Sequence, residues 1–167
     1  MASTTLTTPP SHEGTLSRRT KQVIIVTAII GFLHHTDHVL RADHSGFPFT
    51  PSINEFTASL IVYPIMAFVF FKQGMLRTKV VLVTLVLFAV QAAHTFIELP
   101  IDQYAVWANN ASRDPALLGQ PNLLNISSPL MGVLAVTISI ALSIALATSA
   151  YMIFQDYLRS TRKKRTY

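Results

Sequence analysis

Four long apolar stretches alternate with polar segments along the chain, and they give the first indication of its fold. The apolar runs predict helices over about residues 22–40, 56–71, 80–99 and 129–154. A helix needs about 20 mostly apolar residues to cross the hydrocarbon core of a membrane. The third and fourth stretches meet that length, the second is slightly short, and the first is long enough only with its polar end. The pattern predicts an all-α polytopic membrane protein, a four-transmembrane-helix up-down bundle over residues 22–157.

The composition of the chain agrees with a membrane location. Of the 167 residues, 50% are hydrophobic and only 13% are charged, whereas a soluble domain carries roughly a quarter charged residues. The mean hydropathy is +0.42, which also argues against a disordered chain. The sequence contains no cysteine. Disulfides, thiolate zinc sites, iron–sulfur clusters and c-type haem attachment are therefore excluded.

Basic residues cluster at one end of the apolar stretches and so predict an orientation. One group precedes the first stretch: Arg18, Arg19 and Lys21. A second lies between the second and third stretches: Lys72, Arg77 and Lys79. A third follows the fourth stretch: Arg159, Arg162, Lys163, Lys164 and Arg165. The positive-inside rule then predicts that both termini are cytoplasmic, with a disordered N-terminus over 1–21 and a basic tail over 158–167. We expect this tail to contact anionic lipid, and we expect no nucleic-acid partner.

The segments on the opposite, outer side are residues 41–55 and 100–128, and both are expected to be loops. Tyr104 and Trp107 lie in the second of them, where aromatic rings commonly anchor a protein among lipid headgroups. Pro64 lies inside the second apolar stretch, where it is expected to kink the helix.

Histidines and acids crowd the outer ends of the first and third apolar stretches. The first end carries His34, His35, Asp37, His38, Asp43 and His44, and the third carries His94 and Glu98. In an up-down bundle these two ends lie at the same depth. The predicted topology therefore brings both groups of side chains to one level of the membrane.

Helical spacing within this group favours a metal site. His34 and His38 are four residues apart, so they share one helix face. Together with His94 and Glu98 they form a candidate set of three imidazoles and one carboxylate, which suits a transition metal such as iron, copper or zinc. Asp37, like His35, His44 and Gln91, is a candidate to bond to these ligands or to hold a second metal.

The depth of the histidines supports a functional role. The apolar run before His34 is eleven residues long, or roughly 17 Å of helix, against a hydrocarbon core of about 30 Å. His34 and His35 are therefore expected within the outer part of the core. Ionisable groups in such a place are costly to bury and indicate a functional site.

The same residues could work without a metal. Glu98, Asp37 and His35 are candidate catalytic residues for general acid–base chemistry in a low-dielectric site. The stripe His94-Thr95-Phe96-Ile97-Glu98 resembles the His-x-x-x-Glu element of the emopamil-binding sterol isomerase family. That resemblance implies proton shuttling during double-bond migration. It covers five residues, and the number of spans and the HHTDH element do not match that family, so it is a likeness of chemistry alone.

Three other interpretations remain open. A histidine of the first span and His94 could ligate a b-type haem from both faces, which would make the protein an electron carrier. The chain could be a noncatalytic subunit of a membrane complex, or a transporter formed by a homo-oligomer. The polar residues could also be purely structural, with Glu98 paired to Arg41 or His94 to fix helix packing. We predict a small integral membrane enzyme acting on a lipophilic substrate, with metal-dependent chemistry slightly ahead of metal-free acid–base chemistry.

Overall fold

The computed structural model describes residues 14–41, 54–115 and 117–165, and within these ranges the chain is helical with no strand. Six helices follow one another in the described residues: α1 Arg18–Arg41, α2 Glu55–Ser59, α3 Val62–Phe71, α4 Leu76–Phe96, α5 Pro100–Asn109 and α6 Pro129–Arg165. Asp43 and His44 lie outside the described residues. The all-helical prediction is confirmed for the part of the chain that is described.

Three of the helices are long and apolar enough to cross a membrane: Arg18–Arg41, Leu76–Phe96 and Pro129–Lys163. The second apolar stretch, Glu55–Phe71, is shorter. It runs back along α1, because the Phe56 ring lies against the rings of His35 and His38. Further along, Val69 shares a hydrophobic cluster with Ile24.

The second apolar stretch is interrupted where Pro64 predicts a distortion. Its helix stops after Ser59, passes through a turn at Leu60 and Ile61, and resumes at Val62. Proline has no N–H to donate to the carbonyl four residues earlier, and that carbonyl, on Leu60, instead accepts the N–H of Tyr63 at 3.1 Å. The stretch is therefore two helices.

The third apolar stretch ends earlier than predicted, and a further helix follows it. A residue before proline disfavours the helical conformation, and Leu99 before Pro100 is extended, with φ −73° and ψ 150°. Pro100 then occupies the first turn of α5, where its missing N–H does no harm. The prediction that this region is a loop with Trp107 among the headgroups is wrong, because Trp107 lies on α5 and is fully buried.

The long helix α6 is the centre of the packing and contacts α1, α4 and α5. Gly132 permits the closest approach to α5, since a Cβ there would lie 2.7 Å from the backbone oxygen of Tyr104. At the opposite end, the N–H of Ser17 and the hydroxyl of Thr20 donate to the carboxylate of Asp156 at 2.8 and 2.6 Å. Helix α1 thus begins inside the segment predicted to be disordered, and Asp156 satisfies its first donors.

Candidate functional site

The imidazole of His34 contacts those of His38 and His94 where the C-terminal end of α1 meets the C-terminal end of α4. The Nε2 atom of His34 lies 3.1 Å from Nε2 of His38 and 3.3 Å from Nε2 of His94. His34 and His38 are one turn apart on α1, which places their rings with centroids 4.6 Å apart. His34 is buried, while His38 is partly buried. Such separations suit N–H···N hydrogen bonds between a protonated and an unprotonated nitrogen.

Glu98 joins this group from the turn between α4 and α5. Its backbone N–H donates to the carbonyl of Ala93 at 2.9 Å, so the chain has left the regular helix before Glu98. The carboxylate then points back at the imidazoles, with Oε2 3.3 Å from Nε2 of His38. Only 3% of Glu98 is exposed. A carboxylate buried this deeply requires charged or hydrogen-bonding partners.

Those partners come from Arg41 and from α5. The Arg41 guanidinium donates through Nη1 to Oε1 of Glu98 and through Nε to Oδ2 of Asp37 at 2.7 Å. The indole N–H of Trp107 donates to the other oxygen of Asp37 at 2.8 Å. One arginine therefore bridges two buried carboxylates. Asp37, a candidate catalytic residue, has both oxygens engaged and serves to hold Arg41.

A chain of hydrogen bonds determines which nitrogen of His34 carries the proton. The amide N–H of Gln103 donates to Oε2 of Glu98 at 3.1 Å, which turns the amide oxygen of Gln103 toward Ser139. The Ser139 hydroxyl donates to that oxygen at 2.9 Å. Ser139 has no second hydrogen, so at 3.2 Å it can only accept from Nδ1 of His34. Neutral His34 thus keeps its lone pair on Nε2, facing the other imidazoles.

His35 belongs to a separate hydrogen-bonded group, formed between α1 and the α2–α3 segment. Its Nε2 lies 2.8 Å from the Ser59 hydroxyl, and its Nδ1 lies 2.9 Å from the carbonyl of Gly31 and 3.0 Å from the Tyr63 hydroxyl. These bonds tie the interrupted α2–α3 segment to α1. His35 is therefore a neighbour of the imidazole group, with its ring centroid 5.8 Å from that of His34.

The three imidazoles, Glu98 and the His35 group border one apolar cavity of about 370 Å³ between α1, α2, α3, α4 and α6. The polar end carries His34, His35, His38, His94 and Glu98. The remaining wall is mostly aliphatic and extends inward to Thr27, Met66 and Leu146. A cavity of this size, apolar with a few convergent polar groups, is typical of small-molecule sites.

The structure brings together the four predicted metal ligands, since His34 contacts His38 and His94, and His38 contacts Glu98. Within the described ranges, however, no group of three or more His, Asp or Glu side chains is arranged to hold a metal ion. The metal set therefore stays a prediction.

Sequence reasoning missed four residues that complete the site: Gln103, Trp107, Ser139 and Tyr63. Proline is common in the first turn of a helix, so Pro100 could have indicated that a helix begins there. Gln103 and Trp107 are four residues apart, and on such a helix they share one face. Ser139 is one of several small polar residues along α6, and nothing in its local sequence distinguishes it.

The comparisons with known proteins return nothing: no family model, no curated protein and no solved structure matches the chain.

Proposed function

We propose that the protein is a small integral membrane enzyme that acts on a lipophilic substrate by general acid–base chemistry. The observation that carries this proposal is the contact of three imidazoles and a buried carboxylate at one end of an apolar cavity. The chemistry is the transfer of a proton to and from carbon, as in isomerisation or cyclisation. It leaves the substrate's oxidation state unchanged and needs no co-reactant.

The hydrogen-bond order supports a role as a proton relay. His34 presents a lone pair at Nε2, while the Nε2 atoms of His38 and His94 are within reach to donate to it. A proton taken from the substrate by His94 or Glu98, both on the cavity wall, can be held in this group. The same group can return it to another carbon of the substrate. Burial strengthens such transfers, because little solvent competes for the proton.

The proposed arrangement in the membrane is four crossings with both termini cytoplasmic. The basic groups before α1, between α3 and α4, and after α6 support it. The contacts of α2 and α3 along α1, from Phe56 near His38 to Val69 near Ile24, support a fourth crossing. The imidazole group would then lie near the outer surface, with the cavity extending inward from it. Lipid is the expected surrounding partner, in a monomer, a homo-oligomer or a larger membrane complex.

A metal-dependent enzyme is the second candidate, and one observation favours it. Two nitrogens bound tetrahedrally to zinc at about 2.05 Å would lie about 3.3 Å apart, close to the 3.1 and 3.3 Å between the Nε2 atoms here. His34, His38, His94 and Glu98 would hold the iron, copper or zinc, and the metal would supply Lewis-acid or redox chemistry. The Nδ1–H of His34 bonded to Ser139 would fix that ligand's orientation.

A b-type haem fits the residues less well. Nitrogens on opposite faces of one iron would be about 4 Å apart, if each bond is about 2 Å as for other metal–imidazole bonds. The Nε2 atoms of His34 and His94 are 3.3 Å apart and belong to rings tilted by 39°. A porphyrin between them would require the two helices to separate.

Hydrogen-isotope incorporation tests the proposed function. Membranes of the source cells, enriched in the protein, are incubated in D2O, and the extracted lipids are analysed by mass spectrometry. We expect a lipophilic species to gain deuterium at carbon in the wild type and in Thr95→Val, a control with an exposed side chain beside His94. Glu98→Gln and His94→Gln should abolish the gain. Equal labelling in all four samples contradicts the proposal.

The metal alternative has its own readout. Near-stoichiometric metal in the detergent-purified protein, lost in His38→Ala and in His94→Ala, would move the assignment to a metal-dependent enzyme. If the four single alanine variants of His34, His38, His94 and Glu98 all retain function, the protein is a noncatalytic subunit.

A further inference from the structure

The cavity wall carries a second polar group, formed by His35 and Tyr63, that the proton relay does not use. Tyr63 lies in the first turn of α3, just after the interruption of the second apolar stretch. Its ring centroid is 5.3 Å from that of His35, and its hydroxyl oxygen is 3.0 Å from Nδ1 of His35. Both residues border the cavity.

The direction of this hydrogen bond follows from a third atom. Nδ1 of His35 is also 2.9 Å from the backbone carbonyl oxygen of Gly31. A carbonyl oxygen can only accept, so Nδ1 must carry a hydrogen in every protonation state of His35. A nitrogen that carries a hydrogen has no lone pair to offer. The Tyr63 oxygen therefore shares the single Nδ1–H of His35 with the Gly31 carbonyl, and the hydrogen of the Tyr63 hydroxyl is not used by His35.

Among the described residues this is the one hydrogen bond that the Tyr63 hydroxyl makes. Its O–H is thus available on the wall of a largely apolar cavity. A donor in apolar surroundings gains free energy when it finds an acceptor. On this geometry we infer that Tyr63 is a recognition residue that donates a hydrogen bond to an oxygen atom of the lipophilic substrate. This inference rests on the proposed function and adds the substrate class, an uncharged apolar molecule with a hydroxyl or carbonyl oxygen.

The position of Tyr63 also orients this substrate. His35 lies beside the imidazole group, with its ring centroid 6.4 Å from that of His38. The oxygen bound by Tyr63 is then at the polar end of the cavity. The apolar body of the substrate extends inward along Met66 and Leu146. The carbon atoms that exchange protons are therefore those near the oxygen, and the far end of the molecule provides only apolar burial.

A matched pair of probes tests this inference without knowledge of the substrate. The full-length protein in detergent is titrated calorimetrically with 4-phenylcyclohexanone and with phenylcyclohexane, which differ by one carbonyl oxygen. We expect the wild type to bind the ketone more tightly. Tyr63→Phe should weaken ketone binding about 2- to 10-fold, the net value of one hydrogen bond. It should leave hydrocarbon binding unchanged, which shows that the cavity is intact.

Two further variants separate the possible outcomes. Tyr151→Phe, at a residue that is 62% exposed, should behave as the wild type with both probes. His94→Gln should retain the preference for the ketone even though it abolishes proton transfer. Substrate recognition by Tyr63 is therefore tested separately from the proposed proton transfer. A ketone preference that survives Tyr63→Phe, or that is missing in the wild type, overturns the inference. Binding of neither probe overturns the cavity as a substrate site altogether.

Discussion

Replacing Arg41 by methionine should destabilise the protein strongly, because Arg41 is the cation between two buried carboxylates. It is 1% exposed, and it donates to Asp37 and to Glu98, which are 8% and 3% exposed. Each hydrogen bond to a charged group contributes about 1.5–3 kcal/mol, so two contribute about 3–6 kcal/mol. This agrees with the loss of about 3–5 kcal/mol that follows removal of one partner from a buried ion pair.

The single tryptophan of the chain makes this loss measurable. Trp107 is fully buried and donates to Asp37, so its fluorescence reports the opening of this part of the bundle. The assay is equilibrium unfolding by SDS in dodecyl maltoside micelles. The variant's free energy of unfolding should be lower than the wild type's by about 3–5 kcal/mol. Arg41→Lys should recover only part of it, because an ammonium lacks the fork that reaches both carboxylates.

Arg159→Met is the matched control for this experiment. Arg159 also pairs with an acid, Asp156 at 3.7 Å, but its side chain is 71% exposed. Exposed pairs contribute about 0–1 kcal/mol. The reasoning is refuted if Arg41→Met and Arg159→Met lower the free energy of unfolding by the same amount.

Three further predictions concern other contacts, and each is tested by circular dichroism in the same SDS titration. Gly132→Ala should lower the free energy of unfolding by about 1–3 kcal/mol, because the added Cβ would lie 2.7 Å from a backbone oxygen. Gly31→Ala, whose added Cβ has its nearest neighbour at 3.8 Å, should be neutral or slightly stabilising. Equal effects of the two substitutions would contradict this. Trp107→Phe should lose about 1.5–3 kcal/mol with its bond to a buried carboxylate, and a smaller loss than 1 kcal/mol would argue against that bond. Ser139→Ala leaves a buried N–H without its acceptor and should lose about 1–3 kcal/mol, while Ser143→Ala, which loses only a bond to its own helix, should change little; the reverse order would refute the assignment.

The pattern of apolar residues predicted the three long helices, because a long apolar segment away from water must pair its backbone N–H and C=O groups within itself. The distribution of basic residues predicted which helix ends lie on the same side of the bundle. That was enough to predict that His34, His38, His94 and Glu98 lie near one another. The finer geometry depended on proline. Pro100 ends α4 at Phe96, and the turn that follows directs Glu98 back toward the imidazoles. The predicted helix over residues 80–99 did not include this turn.

The bonding partners of the site were harder to predict for a different reason. Ser139 lies 105 positions from His34 in sequence, and Gln103 reaches both Ser139 and Glu98 from a helix that was expected to be a loop. Such contacts depend on the lateral arrangement of helices, which periodicity does not encode. Asp37 was expected to take part in chemistry, but its i,i+4 spacing to Arg41 already indicated an ion pair.

The proposed proton relay depends on hydrogen bonds from the imidazoles of His38 and His94 to His34, with the lone pair of His34 on Nε2. Nitrogen-15 NMR of the histidine-labelled, metal-free protein tests this most directly, with His34→Gln to assign the signals. We predict a protonated Nδ1 and an unprotonated Nε2 for His34, with coupling through a hydrogen bond to Nε2 of His38 or His94. A His34 protonated at Nε2 alone, with no coupling to either partner, would contradict the account.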